Sequence, residues 1–140
     1  MNEQQVTMVE ESWNKVMPIA AAAAELFYGR LFEVAPGVRA LFPDDMGDQK
    51  RKLMTTIGSI VSRLGGLDSL DPQIHALALR HVSYGAAPAH YDAVGDCLLW
   101  TLDNGLGDDF TPELREAWTA AYALLSANMI AAAEAHRVAG

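Results

Sequence analysis

A chain of 140 residues, 51% hydrophobic and 20% charged, is long enough to form one domain over residues 1–140 with a substantial apolar core. Its formal net charge of −8 excludes the basic surface that a phosphate backbone demands, so nucleic acid is not an expected partner. A single cysteine, Cys97, excludes both an intramolecular disulfide and a thiolate metal cage.

Alanine-rich and leucine-rich segments with few β-branched runs favour helix throughout, so the chain reads as all-α. Val6, Val9, Trp13, Val16 and Met17 recur at helical spacing until Pro18 stops or kinks the first helix. A second helix runs from about Ile19 to Val34, with Tyr28, Leu31 and Phe32 along one edge. Pro36 to Pro43 predicts a short helical turn and a corner with Phe42 in restricted backbone, and Asp44 to Gly47 reads as loop. From Asp48 a long amphipathic helix places Gln49, Leu53, Ile57, Ile60 and Leu64 on one stripe and ends at Gly65-Gly66. Gln49 is the polar member of that stripe. Beside it Lys50, Arg51 and Lys52 point in different directions around the helix, which makes most of that cluster a solvated face.

Asp71-Pro72 joins an N-cap to a proline at the first helical position and opens a helix whose stripe is Ile74, Leu77, Ala78 and His81. The next helix, from about Pro88 to Leu106, turns Val94, Leu98 and Leu102 inward. Thr111-Pro112 repeats the cap-then-proline signal and starts a last helix with Leu114, Trp118, Tyr122, Leu125 and Met129 on one face. The uncharged run from Ala117 to Ala133 only touches the lower length of a membrane span and carries Thr119, Tyr122, Ser126 and Asn128, so it reads as a buried helix and no membrane insertion is expected. The N-terminus lacks a basic segment followed by an apolar one, and the cytoplasm is the expected compartment.

His81 stands among inward-facing aliphatics. A buried imidazole needs a partner for each ring nitrogen, and no cysteine or carboxylate lies nearby at metal-cage spacing. One nitrogen on an apolar wall suits haem iron, which takes four ligands from its porphyrin; the plain alternative is a core histidine satisfied by its surroundings. His75 lies six residues earlier and turns away from that face, and His136 lies near the C-terminus, so both read as surface residues. No histidine occurs between Phe42 and Gly66, which excludes a second histidine ligand from the helix facing His81.

Tyr28-Gly29-Arg30-Leu31-Phe32, Pro36 with Val38-Arg39-Ala40-Leu41-Phe42, Gln49 with Lys52-Leu53-Met54, Arg80-His81 with Tyr84-Gly85, His90-Tyr91 with Val94-Gly95, and Trp118 with Ala121-Tyr122 form an ordered set. That set resembles the bacterial globins, and most of all single-domain haemoglobins related to the globin domain of flavohaemoglobins. The likeness covers the chain from about Val6 to Glu134. It implies a globin fold of about six to eight helices without the short D helix, and one haem b (iron protoporphyrin IX).

Carried over residue by residue, the resemblance makes His81 the proximal iron ligand and Phe42 the ring wedged against the porphyrin. Tyr28, Gln49 and Leu53 would line the distal side, where a polarised O₂ would supply the hydrogen-bond acceptor that a phenol and a carboxamide facing a core require. The alternatives are a core tyrosine bonded to a backbone carbonyl and an exposed first-turn glutamine. Lys52, Leu77, Arg80, Tyr84, His90, Tyr91, Val94, Leu98 and Tyr122 complete the implied haem contacts, with His90 near the haem edge and Lys52 approaching a propionate. In the family Tyr91 joins a glutamate of the last helix in a hydrogen-bonded network around the proximal imidazole. The matching position here is Ala133, while Glu134 is one place on and turned about 100° away on an ideal helix.

The implied function is reversible binding of O₂, NO and CO at a five-coordinate iron, for oxygen delivery or NO scavenging, by a monomer or homodimer. A second reading is an NO dioxygenase, with weak peroxidase activity as a further enzymatic outlet. It needs a separate reductase, because the chain ends soon after its last helix, and Lys50-Arg51-Lys52 is the expected landing site for that donor. Retention of His81, Tyr28 and Gln49 speaks against a third reading, a haem-free sensory module.

Overall fold

The computed structural model describes residues 1–66, 71–83 and 88–139, and within them the chain forms helices and turns without a strand. Six helices follow one another: α1 (Glu3–Val16), α2 (Ala20–Val34), α3 (Gly47–Val61), α4 (Pro72–Ser83), α5 (Pro88–Leu106) and α6 (Pro112–Ala139). Tight 3-10 turns at Met17–Ile19, Pro36–Leu41, Leu64–Gly66 and Gly107–Asp109 supply the corners. No helix intervenes between Leu41 and Gly47, as expected of a chain without the short fourth helix. The long helix expected to run to Gly65 instead ends at Val61, and a 3-10 turn carries the chain on to Gly66. No helix among the described residues is long and apolar enough to cross a membrane.

Local chemistry explains the boundaries. Asn2 caps α1 by accepting the Gln5 amide at 2.8 Å while the Gln5 side chain answers the Asn2 amide at 3.2 Å, a reciprocal cap. Asp71 accepts the amides of Gln73 and Ile74 at the start of α4, and Thr111 accepts the amide of Leu114 at the start of α6. Pro18 ends α1 in a 3-10 turn, because proline brings no amide hydrogen to the next helical bond.

The core gathers where α1, α3 and α6 meet and where α2 crosses α5. Trp118 of α6 donates its indole hydrogen to Ser12 Oγ at 2.8 Å, and Ser12 donates in turn to the Val9 carbonyl at 2.9 Å, so two buried polar groups of the α1 and α6 contact are both satisfied. Gly58 lets α3 approach α1 closely: a Cβ there would stand 3.1 Å from Trp13 Nε1. Cys97 is buried in α5 and packs as a small apolar residue.

The arrangement of α3 and α4 positions the site. A polar corner ties their adjoining ends: Arg63 pairs with Asp71 and donates to Gln73 Oε1 at 2.6 Å, which also accepts from Ser59 Oγ at 2.9 Å. Burial works to raise the Asp71 carboxyl, but the amides of Ile74 and Gln73 and the Arg63 guanidinium outweigh it and hold the group below its usual range. Among the described residues α3 packs chiefly on α2 and α1, and α4 chiefly on α6. At the ends of the two helices far from that corner stand Gln49, in the first turn of α3, and His81, in the last turn of α4.

Candidate functional site

His81 is half-buried, and its Nδ1 lies 2.8 Å from the Leu77 carbonyl one turn earlier. A carbonyl only accepts, so the imidazole hydrogen sits on Nδ1 and the lone pair on Nε2. Burial pushes the imidazole below its usual range; the Leu77 carbonyl opposes that and the Arg80 charge adds to it. The side chain is therefore neutral at neutral pH, the form in which histidine binds a metal. The Tyr91 ring of α5 lies nearly parallel to it, centroids 6.2 Å apart and planes 29° apart.

Tyr91 is itself held from α6. The Tyr122 hydroxyl donates to the Tyr91 carbonyl at 2.6 Å, and the Tyr122 ring lies flat on Gly95, one turn along α5. Burial keeps the Tyr122 phenol protonated well above its usual range, so that hydrogen bond persists at every ordinary pH. Val94 is half-buried and Leu98 buried on the same helix. Glu134 is exposed with an interaction of its own, and Ala133 is half-buried.

On the other wall Tyr28 of α2 is only 4% exposed, and its Oη accepts from Gln49 Nε2 at 3.0 Å. Burial pushes the phenol above its usual range, partly offset by Gln49, so Tyr28 keeps its own hydrogen to donate. Phe27, Phe32 and Phe42 surround that ring with centroids 5.1, 5.9 and 5.5 Å away. The edge-on contacts with Phe27 and Phe42 fix its plane. Among the described residues the buried Tyr28 hydroxyl bonds to Gln49 rather than to backbone, and Gln49 is half-buried rather than left in solvent.

The remaining residues implied by the resemblance fall into three groups. Phe42, Leu53 and Leu77 are half-buried apolar residues packed against the core. Arg80 is exposed and His90 half-buried, both with interactions of their own, while Tyr84 lies outside the described residues. Lys52 is exposed and borders a shallow depression shared with Asp48, Arg51, Thr55 and Thr56. The basic cluster changes character: Lys50 pairs with Glu25 of α2 at 3.8 Å and Arg51 pairs with Asp48. Lys52 alone of the three makes no ion pair among the described residues, so the patch presents about one net positive charge rather than three.

These residues fit a flat apolar group with an acidic edge. Phe42, Leu53, Ile57, Leu77, Tyr91 and Val94 stay part-exposed while packed on the core, apolar surface that such a group would cover. Ile57, Arg39 and Gly95 escape a reading by residue type. Ile57 looks like any core residue of α3, whereas the partners of Arg39 are backbone carbonyls and that of Gly95 is a ring from another helix, neither legible from local sequence.

The family model described as Globin matches residues 25–129. A flavohemoprotein of Rhodopirellula baltica is 34% identical over 133 residues, covering 90% of this chain and 32% of that protein. A flavohemoprotein of Vibrio cholerae is 28% identical over 129 residues, 90% of this chain and 33% of that protein. The chain thus spans about a third of the length of both. The anaerobic nitrite reductase NSHB5 of Oryza sativa subsp. indica is 26% identical over 132 residues, covering 90% of this chain and 91% of that protein.

Proposed function

The chain belongs to the globin family, and on that premise we propose that it holds one haem b on His81 and reversibly binds O₂, NO and CO. When bound, the haem supplies a ferrous iron with one open coordination position for a diatomic gas. His81 offers Nε2 as the ligand, with the Leu77 carbonyl and the Tyr91 ring fixing the plane of its imidazole. The observation that carries the reading is this neutral imidazole, its Nδ1 against the Leu77 carbonyl, on a helix whose inner face is the buried Ile74 and Ala78. Leu53, Ile57 and Val94 keep water away from the apolar faces of the group, and Lys52 is the cation available to a propionate.

Opposite chemistry is supplied by the distal pair. Gln49 donates into the Tyr28 oxygen, so the Tyr28 hydrogen is directed at the gas rather than at the amide, and Gln49 orients the phenol that does the donating. A hydrogen bond to a partly charged acceptor is worth roughly 1.5–3 kcal/mol, about tenfold to hundredfold in release rate. After haem reconstitution, Tyr28→Phe releases O₂ faster by that factor, whereas release of CO, a poorer acceptor, changes little. Equal changes for both gases in stopped-flow measurements would remove this role from the hydroxyl.

The flavohemoprotein relatives favour a second reading, since their name pairs a flavin with a haem. In it the protein joins NO to O₂ to give nitrate and is left oxidised by one electron, which a flavin-containing donor returns. We expect one stoichiometric round of NO loss from the O₂-loaded protein alone and continued loss only with such a donor. Steady NO consumption with NADH and no donor contradicts that electron route.

A further inference from the structure

We propose that Arg39 is a positioning residue for the distal pair, acting by clamping the corner that joins the Phe42 ring to the helix carrying Gln49. The proposal deepens the haem reading above and rests on it.

Residues 42–46 connect the Pro36–Leu41 turn to α3 with no helix of their own, so their carbonyls need donors from elsewhere. Arg39 supplies them. Its Nη1 donates to the carbonyls of Phe42 at 3.3 Å and Pro43 at 2.9 Å, and its Nη2 donates to that of Asp44 at 3.2 Å. The guanidinium also lies over the Phe32 ring, 5.1 Å from its centroid. Two carboxylates follow in sequence, Asp44 and Asp45, yet among the described residues Arg39 pairs with neither. Asp45 is turned instead toward α3, where its Oδ1 accepts the Gly47 amide at 2.9 Å.

These contacts close a ring. Arg39 holds the carbonyls of three consecutive residues, Asp45 carries that order to Gly47, Gln49 two residues on reaches Tyr28, and Tyr28 returns to the corner through the edge of Phe42 at 5.5 Å. Phe42 and Phe32 also meet edge-on at 5.5 Å, so the ring under the guanidinium braces the ring on the corner. A lysine would keep the charge but not the planar fork that reaches three carbonyls and lies on a ring face. Without the fork the corner gains freedom, and the 3.0 Å contact between Gln49 and Tyr28 is where that freedom is felt.

The test uses Arg39→Lys and Arg39→Met in the haem-reconstituted chain, with O₂ and CO dissociation measured by stopped flow and the C–O stretch by infrared. We expect O₂ to leave roughly threefold to tenfold faster in both variants while CO stays within about twofold, as for a weakened hydrogen bond. The C–O band should broaden or split, reporting more than one distal arrangement. In a Tyr28→Phe background, Arg39→Lys should add less than about twofold, because the group being positioned is gone. Parallel changes in O₂ and CO release, no change in either, or a full Arg39 effect retained without the phenol would each overturn the proposal. Failure of the unaltered protein to take up haem at all would bring down the haem reading first, which separates the two outcomes.

Discussion

His81→Ala abolishes the five-coordinate ferrous spectrum of the haem-reconstituted protein, and millimolar imidazole restores it in part. Outer groups that only orient a metal ligand cost tenfold to hundredfold when removed, so loss of the ligand itself should weaken haem retention by more than about hundredfold. The fold should survive the change. His81 sits in the last turn of α4 and is half-buried, while the inner face of that helix is anchored by Ile74 and Ala78, both 0% exposed. The haem-free variant should therefore melt within a few degrees of the haem-free parent. An unchanged ferrous spectrum, or a haem that transfers to an acceptor protein no faster than before, removes His81 as the ligand. Restoration by imidazole shows that the cavity, rather than a collapsed pocket, was left behind.

Gly95→Ala carries the largest expected cost among substitutions away from the ligand itself. An added Cβ would stand 2.7 Å from Cε2 and 2.9 Å from Cδ2 of Tyr122, and that ring has little freedom because its hydroxyl is bonded to the Tyr91 carbonyl at 2.6 Å. Either α5 and α6 part or the ring rotates and gives up the hydrogen bond. Overpacking of this kind costs about 1–3 kcal/mol, roughly a 4–12 °C fall in Tm for a chain of this length. Tyr91 is the residue stacked on His81, so the effect should reach the haem side: the iron–histidine stretch of the ferrous protein shifts or broadens. Pairing Gly95→Ala with Tyr122→Leu relieves the clash, and the double variant should be no less stable than Tyr122→Leu alone. Additive losses in melting experiments would show that the ring is not what the methyl group meets.

The helices were legible because their signals are local. Asp71-Pro72 and Thr111-Pro112 each mark a helix start by a side-chain oxygen that reaches amides two or three residues on, and those bonds are formed. His81 at the end of an aliphatic stripe, and Gln49 at the start of another, were visible as polar residues on inward faces, since a period of 3.6 residues decides the face without reference to the rest of the chain. The order of charges along the chain does not show how they pair. Lys50, Arg51 and Lys52 are consecutive in sequence, but their partners Glu25 and Asp48 belong to another helix and to the preceding turn, and pairing cancels most of the patch.

By itself the sequence determined an all-helical chain, its helix starts, and which side chains turn inward, because capping, proline geometry and amphipathic spacing act over four residues or fewer. Only the tertiary structure decided the rest. That α3 packs on α2 and α1 while α4 packs on α6, with Arg63 and Asp71 paired where they adjoin, is an outcome of packing over the whole chain. The union of Tyr28 with Gln49, 21 positions apart, and of Tyr122 with Tyr91, 31 apart, follows from helix crossings that no local spacing encodes. What Arg39 holds stays silent in the sequence, because it bonds to backbone carbonyls, which every residue carries alike.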